Sequence, residues 1–290
     1  TLKLLEDKYP NLYHTFIPDS ARYISHKKLG ITMGIKASRH EWLVFTEPNC
    51  RPQSNQWLKQ MARNFTPATE IVLGYSNYEK VPGWLNKKIT FDTLLNSMRY
   101  LGMALSGHPY MGTGRNLAYR KTLYYKQKGF ASHLNLQRGE DDLFINETAH
   151  AHNTRVETGS DSLMRIAMPK YKKIWCEEKI SYAATSRLFK GTARYIMGFE
   201  TCSRLLFYAA IIATIVISIL LHQWTTLGIA ILLWAARFVM QLIVFRKTAQ
   251  AFGERKFCAL LPVFDFLQPI WNGVFKLQRK LRRKNEFMRK

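Results

Sequence analysis

The sequence is poor in acidic residues and cysteine, and it has no apolar segment at its N-terminus. Its 290 residues carry 20 acidic side chains against 43 Lys and Arg, a formal net charge of +23. The four cysteines, Cys50, Cys176, Cys202 and Cys258, are far apart and form no CxxC pair, which excludes a thiolate metal site or a disulfide framework as the organising feature. The start lacks both an initiator Met and a signal-peptide core. We therefore expect reduced cysteines and a sequence that begins inside a domain.

The positive charge accompanies a large apolar content, since 47% of the residues are hydrophobic. A basic surface attracts phosphate-bearing partners, either anionic lipid headgroups or nucleic acid. The charge is not accompanied by an RNP-like, zinc-finger or helix-turn-helix signature. We therefore expect contact with anionic membrane lipid and no nucleic-acid partner.

Two apolar runs, 205–221 and 227–245, are separated by a short polar break. Each is close to the ~20 residues that cross a hydrocarbon core, so 201–245 is predicted to be a transmembrane hairpin. The alternative is a pair of buried core helices. Lys and Arg flank both runs and are absent from the break, which places the flanks in the cytoplasm and the tip outside. Arg237, within the second run, either lines a polymer or lipid path, or it snorkels to the interface or pairs with a neighbouring helix.

The segment 246–290 is apolar but broken by Pro262, Asp265 and Pro269. It is predicted to be an amphipathic helix or a third membrane helix. The basic tail that follows, from Lys276 to Lys284, favours contact with anionic lipid.

Residues 1–200 have the alternating pattern of an α/β catalytic domain. We expect a largely parallel sheet with covering helices. The candidate strands are 42–46, 70–75 and 154–157, and the candidate helices are 56–64, 90–106 and 144–152.

Two acidic motifs are candidates for chemistry. Glu47-Pro48-Asn49 follows the first candidate strand, where α/β sheets bind ligands, and its oxygens suit Mg²⁺ or Mn²⁺; an ordinary turn is the alternative. Glu140-Asp141-Asp142 opens an apolar helix. A partly buried carboxylate among other acids suits a general base, whereas acids at a helix start also complement its dipole.

A third segment, Trp175 to Tyr182, lies shortly before the apolar runs. It is predicted to form an aromatic and polar lid over the site. The alternative is an amphipathic helix lying on the bilayer.

The order of these motifs resembles that of family-two inverting glycosyltransferases, particularly the membrane-bound Bacteroidetes kind. The matching segments are Phe45-Thr-Glu-Pro-Asn-Cys-Arg-Pro52, Gly112-Thr-Gly-Arg-Asn-Leu-Ala-Tyr-Arg-Lys121, Gly129-Phe130 and Gly139-Glu-Asp-Asp-Leu-Phe144, followed by the membrane hairpin. The resemblance implies a GT-A (Rossmann-like) domain over 1–200 that lacks its first strand. It also implies a nucleotide-sugar donor, a lipid-linked or glycan acceptor, and a bacterial inner membrane with the catalytic domain in the cytoplasm.

The resemblance also assigns roles to individual residues. Asp141 would be the base, with Glu140 beside it, and Glu47 and Asn49 would hold the metal and diphosphate. The remaining assignments are Lys28 and Lys179 near the donor, Gly112, Gly114, Asn116, Arg120 and Asp142 on the acceptor side, and Trp175, Glu178 and Tyr182 in the lid.

Three features depart from the family pattern. Glu47-Pro48-Asn49 replaces Asp-x-Asp and has one charge fewer, so it attracts a dication less. The lid motif Gln-x-x-Arg-Trp is reduced to Glu178–Tyr182, where Lys179 would supply the positive charge. The strand that holds the nucleobase is absent. The alternative to an active enzyme is therefore a degenerate, non-catalytic subunit that binds sugar nucleotide or a synthase partner.

Overall fold

The computed structural model describes residues 2–17 and 25–282; Arg283 and Lys284 of the predicted basic tail lie outside them. The strands are β1 Trp42–Phe45, β2 Cys50–Pro52, β3 Ile71–Gly74, β4 Ser76–Tyr78, β5 Leu117–Arg120, β6 Thr154–Glu157 and β7 Met164–Ile166. The helices are α1 Leu2–Lys8, α2 His26–Ala37, α3 Trp57–Ala62, α4 Trp84–Leu105, α5 Lys121–Lys126, α6 Asp142–Thr148, α7 Lys172–Thr185, α8 Ala193–Leu220, α9 Trp224–Ala251 and α10 Leu261–Leu281.

The larger sheet has the strand order β1-β5-β3-β6. β3 is parallel to β6, but β5 is antiparallel to both β1 and β3, so the expectation of a largely parallel sheet is wrong. The chain enters β5 at Leu117, which is the register partner of Phe45 and Leu73. The loop before β5 therefore meets the loops after β1 and β3 at one edge of the sheet, and this edge carries the candidate site.

A second sheet, of order β2-β7-β4, was not expected from the sequence. Each of its strands has only three residues, too few to show the two-residue periodicity of a half-buried strand. β2 begins at Cys50 and pairs with β7. It therefore fixes the turn that carries Glu47 and Asn49 against the rest of the domain.

The core joins the α/β domain to the long helices that follow it. All four residues of β3 are buried, as expected for a strand covered on both faces. On α4, Phe91 has no exposed surface and stacks on Phe245 of α9 and tilts against Phe264 of α10, at ring-centroid distances of 5.3 and 5.0 Å. The helices are thus packed onto the domain by apolar burial, the main favourable contribution to folding.

α8 and α9 are the two helices in 2–17 and 25–282 that are long and apolar enough to cross a membrane. In their most apolar windows only 22% and 6% of the residues are buried. Core helices of a water-soluble protein would be mostly buried, so this exposure favours the predicted hairpin over the alternative of two core helices. The helices extend beyond the predicted runs at their outer ends, to Ala193 and Ala251.

α10 packs against α4, α7 and α8 and contains Pro269. Its Asp265 side chain is buried and accepts hydrogen bonds from Arg204 (3.0 Å) and Tyr208 (2.7 Å) of α8. It also accepts from Arg237 (3.4 Å) and Gln241 (3.0 Å) of α9. Arg237 thus pairs with a neighbouring helix, which was one of its predicted roles.

Candidate active site

The two acidic motifs meet at one lysine. The ammonium of Lys27, in the first turn of α2, lies 2.7 Å from Glu47 Oε1 and 2.7 Å from Glu140 Oε1. Ser25 caps this helix by accepting from the Lys28 amide, which fixes the position from which Lys27 extends. Residues that are 93 positions apart in sequence therefore share a single cation. The fold thus brings together the two acidic motifs that the resemblance assigns to one site.

Arg115 is the second cation of the site, and sequence reasoning missed it. Its Nε donates to Glu47 Oε2 (2.9 Å) and its Nη2 donates to Glu178 Oε1 (2.7 Å), while Tyr78 donates to the other Glu178 oxygen (3.1 Å). Arg115 therefore connects the turn after β1 to the predicted lid helix α7. The sequence feature that could have identified Arg115 as a site residue is its position inside the motif Gly112–Asn116, directly before β5.

Asp141 lies beside this cluster, at the start of α6. Its Oδ2 accepts from the Gly114 amide (2.9 Å) and its Oδ1 accepts from the Asp142 amide (2.8 Å). The preceding Gly139 has φ +107°, and a Cβ there would lie 2.6 Å from the Leu143 side chain, so only glycine allows this entry into the helix. Burial and the neighbouring charge of Glu140 raise the pKa of Asp141, as a general base requires.

Asp142 is also buried, but it faces α7. Its Oδ2 accepts from the Thr185 hydroxyl and its Oδ1 from the Leu143 amide (2.8 Å). Burial and the nearby Asp141 raise the pKa of Asp142 to about 8. A raised pKa favours one proton on the Asp141–Asp142 pair, because two adjacent buried carboxyl groups repel each other when both are charged.

The charges of the cluster hold each other in place. Burial disfavours the ionised form of Glu47, but Arg115 and Lys27 outweigh it and lower its pKa to about 2. Burial likewise disfavours the charged form of Lys27, but Glu140, Asp141 and Glu47 outweigh it and raise its pKa. Glu47 is therefore a carboxylate and Lys27 an ammonium throughout the neutral range.

These residues do not fit a divalent metal. Both Glu47 oxygens already accept hydrogen bonds from cationic side chains, and Asn49 is exposed and accepts from the Cys50 thiol (3.7 Å). Within the described ranges, no three His, Cys, Asp or Glu side chains gather as metal ligands. A hard cation such as Mg²⁺ or Mn²⁺ needs several oxygens that are free to coordinate it.

Several predicted site residues lie elsewhere in the structure. Lys28 is buried and donates to the carbonyls of His133 (2.5 Å) and Leu136 (3.0 Å), so Lys27, not Lys28, reaches the acids. Lys179 points from α7 to Asp92, 2.6 Å away.

Three further predicted residues have packing roles. Asn116 donates to the carbonyls of Tyr75 and Ser162 and accepts from the Trp57 indole (2.9 Å), which satisfies its side chain inside the fold. At Gly112 a Cβ would lie 3.0 Å from Leu73, so this glycine permits close packing. Trp175 is buried against Phe275 of α10, and it anchors the lid helix.

Arg120 is at the end of β5 away from the site, where it pairs in register with Trp42. It donates to the carbonyls of Thr69 (2.8 Å) and Thr66 (2.9 Å) and lies over the Trp42 ring at 5.1 Å.

We expect Arg120→Ala to reduce the free energy of unfolding by about 1–3 kcal/mol, because a hydrogen-bonding partner of these carbonyls is lost. Chemical denaturation measures this loss. If the chain binds the nucleotide-sugar donor that the sequence resemblance implies, its affinity for that donor should stay within about twofold of wild type, because Arg120 lies away from the site. A tenfold loss of affinity, about 1.4 kcal/mol, would contradict this placement.

A cavity of about 560 Å³ opens next to the cluster, between α4, α7, α8 and α10. Arg115, Asp142, Glu178 and Tyr182 contribute to its wall. The wall also includes five basic residues from the segment before α8, the start of α8 and the end of α10: Arg187, Arg194, Lys276, Arg279 and Lys280.

These five bases favour an anion in the cavity. Within 2–17 and 25–282, none of them forms an ion pair with a carboxylate. Burial and the nearby Arg187 lower the pKa of Arg279. Clustered positive charge of this kind attracts negatively charged groups.

The architecture matches a known class of protein. No protein-family model and no curated protein match the chain. A solved structure that it resembles is the mannosyltransferase PcManGT from Pyrobaculum calidifontis in complex with GDP-Man and Mn²⁺, at 15% sequence identity and a TM-score of 0.52. The match covers 96% of this chain and 74% of that one. The chain therefore has a glycosyltransferase fold, with two long apolar helices after the mixed α/β domain.

Proposed function

We propose that this chain transfers a sugar from a nucleotide-sugar donor to a lipid-linked or polysaccharide acceptor, with inversion at the anomeric carbon. The observation that carries the proposal is the convergence of Glu47, Glu140, Lys27 and Arg115 beside Asp141. Two cations and a general-base candidate are what a displacement with a diphosphate leaving group requires.

In the proposed reaction Asp141 is the general base. It accepts the proton of the acceptor hydroxyl while that oxygen forms a bond to the anomeric carbon and the bond to the diphosphate oxygen breaks. The leaving nucleoside diphosphate takes the electron pair, and its charge is stabilised by nearby cationic donors. Glu140 Oε2 is buried and has no hydrogen-bond donor within the described residues, which suits a hydroxyl of the bound sugar.

The acceptor is assigned to the cavity that Asp142, Tyr182 and Arg115 help to line. The cavity extends to Arg194 and Met197 at the start of α8, the helix that continues into the first apolar run. Asp141 lines a smaller pocket that shares Asp142 and Tyr182 with this cavity. An acceptor anchored in lipid would therefore enter along α8 and approach Asp141 past these two residues, and the five cavity bases would contact its anionic group or nearby lipid phosphates. We place the hairpin in the bacterial inner membrane, with the catalytic domain in the cytoplasm.

Mg²⁺ or Mn²⁺ is the cofactor that the sequence resemblance implies, and PcManGT was solved with Mn²⁺. Because the Glu47 oxygens are taken by Lys27 and Arg115, no step of the proposed reaction is routed through a metal. The occupied Glu47 oxygens also favour a second candidate function, a non-catalytic subunit that binds sugar nucleotide or a synthase partner.

The test is release of nucleoside diphosphate by the purified full-length protein in liposomes. A panel of nucleotide sugars is offered with short glycans or polyprenyl-phosphate acceptors, in EDTA and in Mn²⁺. We expect one donor to be consumed, and consumption to increase with acceptor. Binding of nucleotide without turnover under every condition would leave only the non-catalytic function.

A further inference from the structure

The Lys27 ammonium occupies the point where the two acidic motifs face each other. It is 2.7 Å from one oxygen of Glu47 and 2.7 Å from one oxygen of Glu140. The Glu140 side chain is 4% exposed and that of Glu47 20% exposed, whereas that of Lys27 is 42% exposed. The lysine thus closes an otherwise buried pair of carboxylates on the side that faces solvent.

Two carboxylates that each lie 2.7 Å from the same ammonium need that cation between them. Without one, their repulsion and desolvation would raise the pKa of one acid or separate the two side chains. Lys27 supplies one positive charge between the two acids, and Arg115 binds the remaining oxygen of Glu47 at 2.9 Å. A divalent ion that bridged the two acids would have to displace Lys27 or Arg115, because both Glu47 oxygens are already paired.

One of the three N–H groups of the Lys27 ammonium is not used by Glu47 or Glu140. A lysine has three N–H groups, and the carboxylates of Glu47 and Glu140 take two. Within the described residues, no other hydrogen bond or ion pair involves this ammonium. The third N–H and the exposed side of the ammonium are therefore available to a ligand oxygen.

We propose that Lys27 is the built-in cation of this site and, together with Arg115, binds the diphosphate of the donor in place of a divalent metal. This inference rests on the proposed function for the identity of the ligand. It assigns Glu47 as the residue that positions both cations. It also accounts for Asn49, because a neutral side chain suffices where no dication is held.

The test compares wild type with Lys27→Met in three measurements. GDP and UDP binding in EDTA should be retained by wild type and weakened at least about tenfold in K27M, the loss of about 1.4 kcal/mol expected for a charge-assisted hydrogen bond. Mn²⁺ binding, followed by electron paramagnetic resonance, should be absent in wild type and appear in K27M, where two carboxylates lose their cation. Added Mn²⁺ should then restore part of the nucleotide affinity of K27M.

Two variants serve as controls. Lys36→Met removes an exposed lysine from the last turn of the same helix and should leave every measurement unchanged. Lys27→Arg keeps the charge and should keep nucleotide binding in EDTA, which separates a charge effect from misfolding of K27M.

The inference and the proposed function fail in different ways. Wild type that binds nucleotide only with Mn²⁺, or that binds Mn²⁺ itself at Glu47, overturns the inference and leaves sugar transfer standing. Wild type that binds nucleotide in EDTA but consumes no donor supports the inference and removes the enzymatic function.

Discussion

Asp141→Asn is expected to lower nucleoside-diphosphate release by a factor of about 10²–10⁴, the usual contribution of a positioned general base. An amide cannot accept the acceptor proton, although it has nearly the same shape. Asp141 accepts from two backbone amides, and Asn retains one of these acceptors, so the start of α6 should persist. Steady-state release with the donor identified in the screen measures the loss. Nucleotide affinity should change little, because Lys27 and Arg115 remain.

The matched control is Asp161→Asn, at an exposed position outside the cluster, which should retain full turnover. Thermal unfolding of both variants establishes that any loss is not a loss of fold. If D141N turns over at more than about a tenth of the wild-type rate, a deficit of under about 1.4 kcal/mol in activation free energy, then Asp141 is not the base.

The pH profile gives an independent reading of the same residue. Since burial and Glu140 raise the pKa of Asp141 above its ordinary 3.8, turnover should decline on acidification at a higher pH than for a free Asp, as the base becomes protonated. Glu140→Gln removes the neighbouring charge, so the acid limb should move to lower pH. A limb that is unchanged in E140Q would show that another group controls it.

The sequence was sufficient to predict several of the helices and strands, and the resemblance pointed to the two acidic motifs that lie close together in the structure. The strands at 42–46 and 70–75 appear as β1 and β3, because short apolar runs bounded by turn residues have few alternatives. The strand at 154–157 appears as β6, although Val156 is its one apolar residue. The helix predicted at 90–106 begins earlier, at Trp84. Its first turn exposes the apolar Trp84 and buries the polar Asn86, so it lacks the expected amphipathic pattern, and tertiary packing of Ile89 and Phe91 makes it helical.

Topology could not be predicted in the same way. Nothing in the four residues of β5 distinguishes an antiparallel from a parallel partner, since that choice depends on which end of the sheet the preceding loop reaches. The error also affected site residues. Arg115 and Arg120 lie in one motif, but the direction of β5 puts Arg115 beside Glu47 and Arg120 at the opposite end.

Charge partners were the least predictable part of the site. Lys27 and Lys28 are adjacent in sequence, and only the orientation of α2 decides that Lys27 meets Glu47 and Glu140 while Lys28 binds the carbonyls of His133 and Leu136. In the sequence, Asp265 only interrupts an apolar segment, and nothing there indicates its partners. Its partners lie on two other helices, between 24 and 61 residues away.

Asp265→Ala is expected to lower the free energy of unfolding by about 3–5 kcal/mol, the usual loss when one partner of a buried ion pair is removed. Arg204, whose side chain is only 3% exposed, would then lose its buried carboxylate and keep only the longer contact with the more exposed Glu200 (3.5 Å). Tyr208, Arg237 and Gln241 would lose their common acceptor as well. Denaturant unfolding of the detergent-solubilised protein measures the loss.

The same substitution should also reduce sugar transfer, because Asp265 lies at one end of a polar chain that leads to the lid. Arg204 donates to Gln268 Oε1 (2.7 Å), and Gln268 donates to Asp92 (3.4 Å). Asp92 pairs with Lys179 of α7. Loosening of α10 would therefore release the helix that holds Glu178 against Arg115.

Glu79→Ala provides the contrast, since it removes an acid whose ion pair with Arg51 (3.4 Å) is exposed, and such pairs contribute less than about 1 kcal/mol. Asp265→Asn keeps the shape and most hydrogen-bond acceptance, so it should fall between D265A and wild type. If D265A unfolds at the same denaturant concentration as E79A, the buried pair does not join α10 to the hairpin. The packing of Phe91 on Phe245 and Phe264 would then be what holds the long helices to the α/β domain.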